Sequence, residues 1–154
     1  ARDAPIIPCG LYWRLEEARR DQTATLILCR AESDCRILWS QGFCALALPG
    51  ATVKKLDKIH LRNILRVFVH ASLDAGGKAF ANNLTRHLVE IGFRGEICVF
   101  SSPNPSTLYR ENPTDFPLRF QEILGASKPR TVKTNRRKTN QKNENPRGRG
   151  FRKA

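Results

Sequence analysis

The chain is 154 residues long, 40% hydrophobic and 27% charged, with a formal net charge of +13 and a pI near 10.2. That length allows one domain with a core of ordinary size, and no apolar run approaches the roughly 20 residues that span a bilayer. A balance this basic points to a polyanionic partner and away from a cationic one.

Residues 1–10 contain Pro5, Pro8 and Gly10 and read as an extended lead-in. The chain starts at Ala1 and has no Met, so initiator removal, processing or trimming is expected, and nothing at its start has the pattern of a signal peptide. Leu11 to Arg20 fits both periods and is read as a strand. Thr23 to Cys29 is β-branched and apolar, a strand. The polar break Glu32-Ser33-Asp34 reads as a short turn into a second strand at Cys35 to Trp39, making a hairpin. Phe43 to Leu48 is another strand, closed by Pro49-Gly50.

Beyond Pro49 the period changes. Leu61, Ile64, Leu65 and Phe68, extended backwards by Val53 and Leu56, carry a helical spacing with Thr52 as N-cap. The helix is expected to end near Arg66, Phe68 fitting both it and the strand that follows. Val67-Phe68-Val69 reads as a strand. Asp74 to Gly77 form a turn into a second helix whose stripe is Phe80, Leu84, Leu88 and Ile91, stopped by Gly92. Ile97 to Phe100 is apolar throughout, the mark of a strand covered on both faces. Four prolines between Ser101 and Pro117 suggest a long irregular connection, followed by a short strand or helical turn at 118–124.

The expected fold class is α+β. It comprises a mixed sheet of about five strands, an N-terminal antiparallel meander and then β-α-β-α-β, with two helices. A single domain covers 11–124, and a disordered basic tail follows over 125–154.

Chemistry-bearing patterns are sparse. Ser72-Leu73-Asp74-Ala75-Gly76-Gly77-Lys78-Ala79 places glycines and a lysine between strand and helix, but Ser72 and Ala79 stand where a P-loop needs Gly and Ser/Thr. It reads as a plain helix-initiating turn. His60, His70 and His87 form no close-set pair with Cys9, Cys29, Cys35, Cys44 or Cys98, so no metal site and no catalytic residue is assigned. Most of the five irregularly spaced cysteines sit in apolar runs, where they behave as small hydrophobes, and a reducing, intracellular compartment is expected.

The charge concentrates at the end. Residues 128–154 hold eleven Lys or Arg against the single acid Glu144, about +10 of the total. The basic residues are Lys128, Arg130, Lys133, Arg136, Arg137, Lys138, Lys142, Arg147, Arg149, Arg152 and Lys153, with Phe151 as a stacking face. Arg forks hold phosphate oxygens at two points and stack on bases, and so few apolar side chains cannot form a core. A second basic row, Lys55, Lys58, Arg62 and Arg66, preceded by Lys54, falls opposite the apolar stripe of the first helix and is a candidate phosphate-tracking face.

Three stretches, Phe43 to Gly50 (FCALALPG), Val67 to Gly76 (VFVHASLDAG) and Ile91 to Pro105 (IGFRGEICVFSSPNP), are similar in order to ornithine decarboxylase antizymes. The resemblance covers residues 43 to about 120, leaves the tail aside, and implies a non-catalytic binder of another protein.

These observations lead to a non-enzymatic RNA-binding or ribonucleoprotein-associated protein. Its body would dock a protein partner or larger assembly while the tail grips RNA phosphates, without cofactor, metal or membrane. The expected location is nuclear, nucleolar or cytoplasmic, with an organelle left open. The alternative is an antizyme-like interaction or inhibitory domain whose tail is a nuclear-localisation signal. An enzyme on an α/β scaffold is the third reading; it would place a pocket near the ends of strands 67–71 and 96–100.

Overall fold

The structure, a computed structural model, describes residues 24–130. From Leu26 to Cys29 every side chain is buried, and successive ones enter opposite layers. The same alternation runs through the neighbouring strands, because a strand turns each side chain to the opposite face of the last. The sheet has four strands: β1 (Thr25–Cys29), β2 (Ala45–Ala47), β3 (Arg66–Ala71) and β4 (Glu96–Ser101). Their order is β2-β1-β3-β4, and every pairing is parallel, with Ile27 opposite Ala45 on one side and Phe68 on the other.

Helices cover both faces. On one, Leu26, Leu28, Val67 and Val69 pack against Phe80, Leu84 and Leu88 of α2 (Ala75–Glu90), together with Leu56, Leu61 and Ile64. On the other, Ile27, Cys29, Phe68 and Phe100 meet Cys35 and Leu38 of α1 (Glu32–Ser40), Leu108 of α3 (Pro105–Glu111) and Phe116 and Phe120 of α4 (Phe116–Ala126). Phe120 anchors this second layer. Its ring lies 5.4 Å from Phe116, 5.1 Å from Phe43 and 5.8 Å from Phe100, and each such pair contributes about 0.5–1.5 kcal/mol beyond burial.

The architecture is therefore α/β with an all-parallel sheet, which corrects the expected α+β mixed sheet and its antiparallel meander. The error lies at Glu32-Ser33-Asp34. These residues open α1 instead of turning a hairpin: carboxylates are favoured in a helix's first turn, where the unpaired N–H groups concentrate positive charge. Cys35 and Leu38 then face the sheet three residues apart, a helical and not a strand spacing. A connection of that kind carries the chain back to start a parallel strand, which a tight turn cannot do.

The long helix expected over 52–66 is also replaced. Two 3-10 turns, Gly50–Lys55 and Lys58–Leu61, flank an extended Leu56. His60 Nδ1 accepts the Asp57 N–H at 3.0 Å and fixes the second turn. The connection after β4 is helical: Pro105 and Pro117 stand in the first turns of α3 and α4, where proline's missing N–H costs nothing. Four strands, not five, are present among the described residues; the strand expected at Leu11 to Arg20 lies outside them.

Candidate functional site

In an open parallel sheet, ligands bind beyond the carboxyl ends of the strands, where neighbouring connections leave in opposite directions. Here the chain passes from β1 to β2 on one side and returns to β3 on the other, so that crevice lies between β1 and β3. The residues that follow these two strands are Arg30, Ala31, Glu32 and Ser72, Leu73, Asp74.

Asp74 organises the crevice. Its Oδ1 accepts the Gly77 N–H at 2.6 Å and the Ser72 hydroxyl at 3.0 Å, capping α2. Its Oδ2 lies 3.7 Å from Arg30 Nη2, across the gap between the strand ends. The Gly77 N–H, then the Ser72 hydroxyl, hold the carboxyl below its ordinary range, so it is ionised at neutral pH.

Two glycines make the close approach possible. A Cβ on Gly76 would run into Arg30 Nη1, and one on Gly77 into the Ser72 backbone and hydroxyl. The turn expected from this sequence is present, and it has the added property of seating a guanidinium against a helix start.

Three further polar groups flank the edge. Glu32 is exposed at the start of α1. Asp34 is buried and accepts the Ser106 N–H at 3.1 Å, tying α1 to the beginning of α3. His70, buried near the end of β3, donates from Nε2 to the Ser102 carbonyl at 3.1 Å, with its ring 5.2 Å from Phe100. Burial pushes its pKa down, although the Ser102 carbonyl and the Asp34 charge oppose that shift. Among the described residues no three His, Cys, Asp or Glu side chains gather as a metal-holding group.

A groove of about 790 Å³ leads away from this edge, from Arg30 past Gly76 and along α2, with Lys54 and Arg86 on its walls. A second cavity of about 710 Å³ sits at the other end of the strands, lined by Ile59, Leu65 and Phe93 with Lys58, Arg62 and Arg94.

The expected basic row is dispersed by the fold. Lys55 ends the first 3-10 turn and Lys58 begins the second, with Arg62 just beyond it. Arg66 opens β3, pairs with Glu96 at 2.7 Å and lies 5.9 Å over the Phe68 ring. No single helix face carries them. Lys128 is exposed. The Arg130 N–H donates to the Ile97 carbonyl at 2.7 Å, and its guanidinium reaches Asn82 at 3.3 Å. Lys133, Arg136, Arg137, Lys138, Lys142, Arg147, Arg149, Phe151, Arg152 and Lys153 lie outside the described residues.

Arg30, Glu32, Asp34, Asp74 and Arg86 were absent from the sequence-derived site. For Glu32 and Asp74 the signal was a repetition: two apolar strands, each followed within three residues by an acid and a helix.

No protein-family model matches this chain, and no characterised protein matches it by sequence. The architecture has solved counterparts in DNA primase catalytic cores. A DNA primase domain from Pseudomonas aeruginosa superposes with a TM-score of 0.63 at 20% identity, over 79% of this chain and 39% of that one. The E. coli primase catalytic core gives 0.62 at 19% identity, over 82% and 42%. A DnaG catalytic core gives 0.58 at 19% identity, over 75% and 39%. This chain thus spans about two-fifths of each.

These likenesses establish a shared fold. They overturn the expectation of a non-enzymatic RNA-binding protein, since the scaffold is one found in enzyme cores. The antizyme-like alternative is corrected with it, since the solved counterparts of this fold are primase cores; its three stretches lie in β2, β3 with the start of α2, and β4.

Proposed function

We propose that this chain is a domain of a nucleic-acid enzyme of the primase kind, and that the crevice between β1 and β3 receives phosphates of DNA. The observation that carries the reading is the seating of Arg30 over Gly76, beside the start of α2 and held by Asp74. A guanidinium offers two parallel N–H groups to phosphate oxygens, and a helix start adds favourable potential. Arg30 is the binding residue. Asp74 positions it, and Glu32 is the exposed carboxylate nearest in sequence on the β1 side. The basic residues from Lys128 to Lys153 supply sequence-independent phosphate affinity. DNA, the nucleic acid named for the structural neighbours, replaces RNA as the expected partner.

Polymerase-type phosphoryl transfer uses magnesium held by one or two carboxylates together with substrate phosphates. Asp74 already spends both oxygens on Gly77, Ser72 and Arg30, which leaves Glu32 as the one outward carboxylate of the pair. These side chains by themselves do not make a divalent-cation site, and the binding role does not depend on one.

The test is titration of a labelled DNA oligonucleotide with the full chain and with Arg30→Ala at fixed salt. Loss of a charge-assisted contact weakens binding by about tenfold or more. Asp74→Asn, which keeps the cap and removes the charge that holds Arg30, weakens it less. Superimposable titrations for wild type and Arg30→Ala would overturn the reading.

A further inference from the structure

The groove beside α2 has a shape and a charge that the crevice alone does not explain. Gly76, Ala79, Asn83, Arg86 and Glu90 recur at intervals of three and four, so they lie along one face of the helix. From Gly76 to Arg86 the helix rises about 15 Å at 1.5 Å per residue. The facing wall is the first 3-10 turn, contributing Gly50, Ala51 and Lys54. Small residues on both sides keep the channel open.

Charge is arranged along its length. Arg30 stands at the mouth, Lys54 on one wall and Arg86 on the other, and the acid Glu90 comes last. Cations on opposing walls suit a chain of phosphates passing between them, and a carboxylate at the far end disfavours phosphate beyond it. The concavity belongs to the protein. A duplex would instead require a protruding element to enter one of its own grooves. One unpaired strand fits this geometry, with its backbone tracked by cations and its bases turned toward Asn83 and the apolar floor.

We propose that the groove along α2 is a track for a single strand of DNA, running from Arg30 between Lys54 and Arg86 and ending before Glu90. The inference rests on the reading of the crevice as a phosphate site and extends it by naming the path of the strand.

The experiment measures affinity of the full chain for a labelled single-stranded thymidine oligonucleotide across a salt series. Each phosphate contact contributes about 0.7 to the slope of log affinity against log salt for a single strand. Lys54→Ala with Arg86→Ala should therefore lower that slope by about 1.4. Lys58→Ala with Arg94→Ala, at the opposite end of the strands, should leave it unchanged. An equal fall for both pairs means diffuse attraction and overturns the track. So does a duplex that competes as well as the single strand. If Arg30→Ala weakens binding while Lys54→Ala with Arg86→Ala does not, the track is wrong and the crevice reading stands. If none of these changes alters binding, both fail.

Discussion

A methyl group on Gly77 would collide with the backbone nitrogen and oxygen of Ser72 as well as its hydroxyl. Backbone cannot step aside as a side-chain tip can, so Gly77→Ala should lower stability by about 1–3 kcal/mol, the usual cost of overpacking. The neighbouring glycine behaves differently. Gly76 faces the flexible end of Arg30, so Gly76→Ala should leave the urea midpoint nearly in place while weakening DNA binding. Adjacent substitutions with opposite signatures separate support of the fold from seating of the guanidinium; equal losses of stability would refute that division.

His70 supplies a second expectation at this scale. Burial lowers its pKa from the ordinary 6.5, so as pH falls below about 6.5 the unfolded chain takes up a proton that the folded chain refuses. Stability conferred by the neutral ring is therefore lost on acidification, by at most about 1.4 kcal/mol per pH unit for one proton. Urea midpoints between pH 7 and pH 5 should decline for the wild type and flatten in that window for His70→Gln. An unchanged decline would assign the titration elsewhere.

Among the elements, α3 is held at its start by a residue from another helix. The Ser106 N–H is one of the donors that a helix leaves without an internal partner, and Asp34 accepts it from 72 residues away. Asp34→Ala should cost about 1–3 kcal/mol by leaving that donor unmet. Asp34→Asn, which keeps an acceptor in place, should retain most of the stability, as thermal melts of the two variants would reveal. This tie also explains what was legible beforehand. β3, α2 and β4 could be read from the sequence because Phe80, Leu84 and Leu88 repeat cleanly and Ile97 to Phe100 is apolar throughout. The helix α1 could not. It has nine residues, its Cys35 to Trp39 stretch is apolar enough for a strand, and its acidic start resembles a turn. Whether Glu32-Ser33-Asp34 opens a helix is decided by contacts to α3 and the sheet, which no local window contains. The site was lost with it: once α1 became a strand, the parallel crevice between β1 and β3 had no place to form.

At the scale of the whole molecule, net charge was a poor guide to position. The basic run at the chain's end drew the candidate site there, whereas three cations that line the groove beside α2, Arg30, Lys54 and Arg86, are scattered in sequence and gathered by the crossovers. Such gathering is a property of sheet order, and one misassigned turn was enough to make the expected order wrong.

The two margins of the sheet have a bearing on solubility. β2 has three residues and is followed within two by Pro49, so little ladder is offered on that side. Along β4 the Arg130 N–H already takes the Ile97 carbonyl, and Pro129, opposite Cys98, has no N–H with which to recruit another strand. Exposed strand edges are templates on which copies of a protein aggregate. By keeping one margin short and stopping the other with proline, the fold denies a second molecule a row of hydrogen bonds to extend.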